Sequence, residues 1–130
     1  MGKTIRFKRG AVTITLEPTP SIVRSIEFDN FVGKYRNGKT EIKNDGRALT
    51  TITLIWNPVT DQSKTREEKV DYLIEQFRPG GDPWTFEWGI SGEPGARSFS
   101  VQPKSIREKE TGGETQDLTV IITLQVREGV

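Results

Sequence analysis

A single stretch of helical period stands alone in a chain otherwise written in strand period, and that order limits what the chain can fold into. Between Thr65 and Phe77 the apolar residues Val70, Leu73, Ile74 and Phe77 recur at the spacing of one helical face. Leu49 to Trp56 and Leu118 to Val126 instead alternate at every second residue, the pattern of strands with one buried face. The expectation is a mainly β, α+β domain, a small antiparallel β-barrel or sandwich with one flanking α-helix at about residues 65–78.

The helix carries its own boundaries. Thr65 followed by Glu68 fits the capping box, and Glu67 lies where the helix dipole favours negative charge. At the other end Pro79-Gly80-Gly81 bars continuation and offers glycine for a left-handed cap. Four apolar anchors, each stabilising by roughly 1.5–3 kcal/mol when buried, would fasten the helix across a sheet. A charge at Leu73 or Ile74 is therefore expected to unfold the domain.

The remaining runs read as strands and turns. Lys3 to Arg9 and Ala11 to Leu16 form a hairpin around Arg9-Gly10, stopped by Pro18, Thr19 and Pro20. A third strand begins at about Ser21. Its Ile22, Ile26 and Phe28 share one face with Arg24, which must lie near a sheet end or snorkel outward. Gly33 to Arg47 contains two turn signals, Asn37-Gly38 and Asp45-Gly46, and fits either a short ribbon or a long exposed loop. Gly92, Pro94 and Gly95 mark a turn, Ser98 to Val101 a strand, and Lys104 to Glu110 with Gly112-Gly113 a loop or solvated hairpin tip. Leu118 to Val126 alternates most regularly and is expected to be central. The expected core is Ile52, Leu54 and Trp56, Val70, Leu73, Ile74 and Phe77, Trp84, Phe86 and Trp88, and Val120, Ile122 and Leu124.

Composition narrows the function classes. A length of 130 residues fits a single β-rich domain over 1–130. Nineteen basic against eighteen acidic side chains leave a formal net charge of +1, so no field of one sign draws the whole chain to nucleic acid or membrane. The sequence has neither cysteine nor histidine. Disulfides, thiolate chemistry and Ser-His-Asp or Cys-His catalysis are thereby excluded, the usual zinc, copper and haem ligands are missing, and no cofactor or metal is implied. The basic start, Met1 to Arg9, lacks the apolar stretch of a signal peptide, and Arg6 stands where a myristoylation motif needs Ser or Thr. Nothing approaches the length of a membrane-spanning helix.

Three groups of residues could carry binding or chemistry. Trp84, Phe86 and Trp88 lie on one side of a strand and could stack on a sugar or a base, although large alternating aromatics more often form core. The cations Lys34, Arg36, Lys39, Lys43 and Arg47 crowd a turn-rich segment that Glu41 and Asp45 interrupt, so a solvated loop or a protein contact is favoured over phosphate binding. The same applies to Lys104, Arg107 and Lys109 with Glu108 and Glu110. These considerations give Tyr35, Arg36, Lys39, Lys43, Arg47, Lys104, Arg107 and Lys109 as candidate protein-interface residues. Only Glu67 with Glu68, or Glu87 with Glu93, look pairable for two-carboxylate catalysis, and neither glycine-rich piece supplies the ending of a phosphate loop, so no catalytic residue is assigned and the expectation is that the chain is not an enzyme.

The order of elements resembles the small β-barrel with a flanking helix shared by tail-tube, tail-completion and baseplate-hub proteins of phages and related contractile injection systems. The resemblance rests on the Thr-rich strand ending in Trp56-Asn57-Pro58, on Leu73 to Pro83 where a helix leads into a Gly-Asp-Pro turn, and on Gln116 to Gln125. It implies a structural subunit of a virion tail or baseplate, made in the host cytoplasm, whose partners are other tail or baseplate proteins in a ring-forming homo-oligomer, with nucleic acid met only by passage through a lumen. The long inter-subunit hairpin of many tube proteins corresponds here to Tyr35 to Arg47, which is short, and this favours a baseplate-hub or tail-end adaptor over a tube or terminator subunit. Free sheet edges need pairing or cover, and heterologous contacts that close by rotation provide it. The alternative is a carbohydrate- or nucleic-acid-binding β-barrel module.

Overall fold

A computed structural model describes residues 3–34, 40–113 and 117–127, and between 29 and 48 it describes the backbone alone. The elements run β1 (Ile5–Arg9), β2 (Val12–Thr15), β3 (Ser21–Lys34), β4 (Thr40–Trp56), α1 (Arg66–Phe77), β5 (Trp84–Trp88), β6 (Arg97–Glu110) and β7 (Leu118–Val126). All seven strands join one antiparallel sheet in the order β2-β1-β5-β6-β7-β4-β3, so the chain is mainly β with one helix against a sheet. The most regularly alternating strand, β7, lies between β6 and β4, with Val120, Ile122 and Leu124 fully buried.

The sheet has to curl. Six strand spacings in a flat sheet would separate β2 from β3 by about 29 Å. The chain from Thr15 to Ser21 reaches at most about 20 Å. Curling satisfies both, and the indole Nε1–H of Trp56 at the end of β4 donates to the carbonyl oxygen of Glu17, just past β2, at 3.2 Å. The concave face encloses Ile5, Phe7, Ile52, Leu54, Trp56, Trp84, Phe86, Val101 and the β7 residues, and α1 closes it with Val70 and Leu73. Phe77 adds an aromatic contact to two strands, its ring edge-on to Phe7 and to Trp84 with centroids 5.1 Å apart in each case. Leu73 is fully buried, whereas Ile74 and Phe77 are half-buried along one side of the helix, so the expected effect of a charge narrows to Leu73.

The two helix ends are closed differently. The Thr65 hydroxyl accepts from the Glu68 N–H at 3.1 Å and the Glu68 carboxylate accepts from the Thr65 N–H at 3.3 Å, a complete capping box. At the C-terminus the cap residue is Arg78 in the right-handed conformation, so no left-handed glycine ends the helix there. Arg9 of β1 does that work, donating to the carbonyls of Gln76 and Pro79 at 3.2 and 3.3 Å while its guanidinium lies 4.5 Å from the centre of the Trp84 ring.

Of the two readings left open for Gly33 to Arg47, the described residues follow the ribbon, and Lys104 to Glu110, expected as a loop or solvated hairpin tip, is strand. β3 and β4 remain paired from Ser21↔Ile55 to Lys34↔Thr40, with one register shift between Phe28 and Asn30. The charged stretch Lys104 to Glu110 is the second half of β6, paired to β7 as far as Glu110↔Leu118 beyond a bulge between Pro103 and Ser105. In β6 beyond the bulge only Ile106 is even half-buried, so apolar alternation is lost there although the ladder hydrogen bonds persist.

Candidate assembly surfaces

β3 is an edge strand, and along Ser21 to Phe28 only Ile22 is half-buried. Both of its faces carry exposed apolar side chains. Val23 is 55% exposed on one face and Phe28 63% on the other, with Ile26 beside Phe28 and Leu49 of β4 opposite Glu27. Among the described residues β7 accompanies β4 over Thr51 to Trp56 and no third strand joins β3 and β4 from Thr50 outward, where they form a two-stranded ribbon. A long edge with apolar residues on both faces is an association surface unless something covers it.

The candidate interface residues fall in two separate places. Tyr35, Arg36 and Lys39 lie outside the described residues. Lys43 and Arg47 belong to the ribbon, where Lys43 is in register with Phe31. Lys104 sits at the β6 bulge, and Arg107 and Lys109 are exposed opposite Ile121 and Thr119 in the body of the sheet. Arg24 lies on the exposed edge with its guanidinium 5.9 Å from the Phe99 ring centre. The reading of basic clusters missed Val23, Ile26, Phe28 and Leu49. Apolar residues on both faces of β3 were the available signal, since a strand patterned that way is either buried twice or an edge awaiting a partner.

The other candidate chemistries are used up internally. Trp84 and Phe86 are fully buried, which leaves only Trp88 half-exposed, between the Lys3 ammonium at 5.5 Å and the Arg97 guanidinium at 4.3 Å. An aromatic platform for sugars or bases is therefore not presented. Glu87 pairs with Arg6 at 3.0 Å and Lys8 at 3.5 Å; burial pushes its carboxyl up, but the hydrogen bonds and charge of those cations outweigh burial and hold it below the usual range. Glu93 accepts from the backbone N–H groups of Thr4 and Ile90 and from the Thr4 hydroxyl at 2.7–2.9 Å, which lowers its pKa. Glu87 thus joins β5 to β1, and Glu93 joins the β5–β6 turn to Thr4, so both carboxylates are engaged in structural contacts. A cleft of about 260 Å³ between β2 and α1 contains Asp61, Lys64, Lys69 and Tyr72, but Lys69 pairs with Asp61 at 2.8 Å and Lys64 lies 3.9 Å from the Tyr72 ring centre. Asp61 is depressed well below the carboxylate range by Lys69, with the N–H groups of Lys64 and Ser63 adding to it. Among the described residues no group of three or more His, Cys, Asp or Glu could hold a metal, and no helix is long and apolar enough to cross a membrane.

No protein-family model matches the chain, and no curated protein matches it. Solved structures do. A chain of the sheath–tube complex of an extracellular contractile injection system, PVC, in its extended state, aligns with a TM-score of 0.56 at 18% identity, over 95% of this chain and 84% of that one. A chain from the tail of an empty GTA particle, computed with helical refinement and C6 symmetry, aligns with a TM-score of 0.54 at 11% identity, over 98% and 92%. At these identities the likeness is one of fold, and it spans nearly the whole of this chain. The curled sheet with one covering helix and a projecting ribbon is thus a fold used in two tail-type assemblies.

Proposed function

We propose that this chain is a structural, non-enzymatic subunit of a phage tail or contractile injection system, which builds a ring through heterologous contacts between copies and binds other tail or baseplate proteins in the particle. The observation that carries this reading is the β3 edge of the sheet, where Val23, Ile26 and Phe28, with Leu49 of β4, are left in water by a lone monomer. The fold likeness to chains of two tail-type assemblies supports it independently. The described strands pair from Ser21↔Ile55 to Lys34↔Thr40, longer than a hairpin of Tyr35 to Arg47, which favours a tube-type subunit, with a baseplate-hub or tail-end adaptor as second reading. The test is the mass of the full chain, alone at high concentration and co-expressed with its genomic neighbours, by native mass spectrometry and negative-stain microscopy. A ring of defined copy number is expected; a monomer under every condition would overturn the proposal.

A further inference from the structure

At one end of the curled sheet two arginines lie against aromatic rings on the core-side face. Arg97 is in register with Trp88, and its guanidinium is 4.3 Å from the centre of that ring. Phe99, two residues along β6, carries the Arg24 guanidinium at 5.9 Å. Both arginines are exposed, and neither has an ion-pair partner among the described residues. Lys3, 5.5 Å from the Trp88 ring centre, adds positive charge, and Glu93 in the adjoining turn has both carboxylate oxygens taken by Thr4 and Ile90. Strand alternation turns Glu27 to the face opposite Arg24. A guanidinium held over a ring keeps its N–H groups available, in the fork that matches a carboxylate.

The chain carries a matching pair of acids. Asp71 and Glu75 are exposed one helical turn apart on α1, and neither has an ion-pair partner among the described residues. On that side of the helix Glu67 and Glu68 add negative charge and Arg78, at the C-cap, positive charge. Four residues of α-helix advance by about 6 Å. Trp88 and Phe99 are diagonal neighbours on one face of paired strands, about 7–8 Å apart. The two carboxylates thus match the spacing of the rings that hold the two guanidinia. Resting on the assembly reading above, we propose that α1 of one copy docks across this end of the sheet of the next copy, with Asp71 and Glu75 against Arg24 and Arg97. A helix docked there also meets Ile26 and Phe28, which share the Arg24 face of β3 and which a single chain leaves in water. The acid-bearing surface differs from the arginine-bearing one, so the contact is heterologous and propagates until rotation closes it into a ring or leaves it open as a stack. Its charge pairs fix register and exclude wrong partners more than they add affinity.

Charge reversal, read by sedimentation velocity at low ionic strength, tests the contact. Arg24→Glu with Arg97→Glu, and Asp71→Lys with Glu75→Lys, change exposed positions, and the thermal midpoint of each double variant checks that it folds. Alone, each sets like charges against each other and is expected to weaken self-association by roughly tenfold or more. An equimolar mixture of the two is expected to restore it, because the helix of each then meets an end of opposite charge on the other. Asp71→Lys/Glu75→Lys in excess is also expected to cap the assemblies of the parent chain, a result that does not depend on the arginine variant folding. Folded variants that associate like the parent, a mixture of them that restores nothing, or an excess that leaves the parent's assemblies unchanged would overturn this contact and leave the assembly reading standing. A parent chain that never associates, alone or with its genomic neighbours, overturns both.

Discussion

At the scale of single residues, acidic side chains show how this chain uses charge for structure. Glu93 ties the β5–β6 turn to Thr4, just before β1, by accepting from its backbone N–H and hydroxyl, and closes the turn on itself by accepting from the Ile90 N–H; together these lower its pKa below the ordinary value of 4.5. Glu87 is lowered as well, net of its burial, by Arg6 and Lys8. A carboxyl lowered in the folded state adds stability that is fully present above its unfolded pKa and is lost as pH falls through the folded one. With no histidine or cysteine in the chain, no side chain of ordinary pKa titrates between about pH 5 and 8. The thermal midpoint is therefore expected to be level from pH 6 to 8 and to fall below about pH 4.5. Glu93→Gln should lower the midpoint at pH 7 and flatten the acid limb; an acid limb as steep as the parent's would show that Glu93 does not contribute to it. Only the pairing of this residue with Thr4, 89 positions away, made its role visible, and sequence reading could go no further than a pairable acid.

At the scale of elements, α1 was legible at its start and illegible at its end for a physical reason. Thr65 and Glu68 close the N-terminus from within four residues of sequence, so the capping box can be read directly. The C-terminal carbonyls are met by Arg9, which reaches the helix only because β1 pairs with β5 beside it. Thr65→Ala is expected to cost about 1 kcal/mol, and Arg9→Ala about 1–2 kcal/mol from two hydrogen bonds and a cation–π contact. A helix of this length sets the two sites about 18 Å apart. The double variant should therefore be additive in urea denaturation, and a coupling beyond about 0.5 kcal/mol would mean that the ends do not act separately. The strands divide in the same way. Leu49 to Trp56 could be read because one face is buried, whereas the second half of β6 is exposed except at the half-buried Ile106 and leaves no period to detect.

At the scale of the whole molecule, the sheet order could not be read from the sequence at all. Alternation tells which face of a strand is buried and says nothing of which strand lies next to it. The pairings β1–β5, with Ile5 opposite Trp88, and β4–β7, with Thr51 opposite Gln125, join segments far apart in the chain and complete the curl that leaves β2 and β3 as the two edges. The chain must close long loops before either pairing gains any core contact, and the single helix supplies few local contacts to offset that cost. Refolding is therefore expected in milliseconds to seconds, as for other β-rich domains of high contact order. Trp56 and Trp84 are buried in the closed sheet, so their fluorescence reports its completion in stopped-flow dilution from urea. A Phe7→Leu change, which trims the β1 side of the β1–β5 pairing, should slow refolding if that pairing forms in the transition state and speed unfolding if it forms later. Complete recovery of the tryptophan signal within microseconds would mean that local contacts suffice, and would contradict a core whose closure waits on the most distant strands.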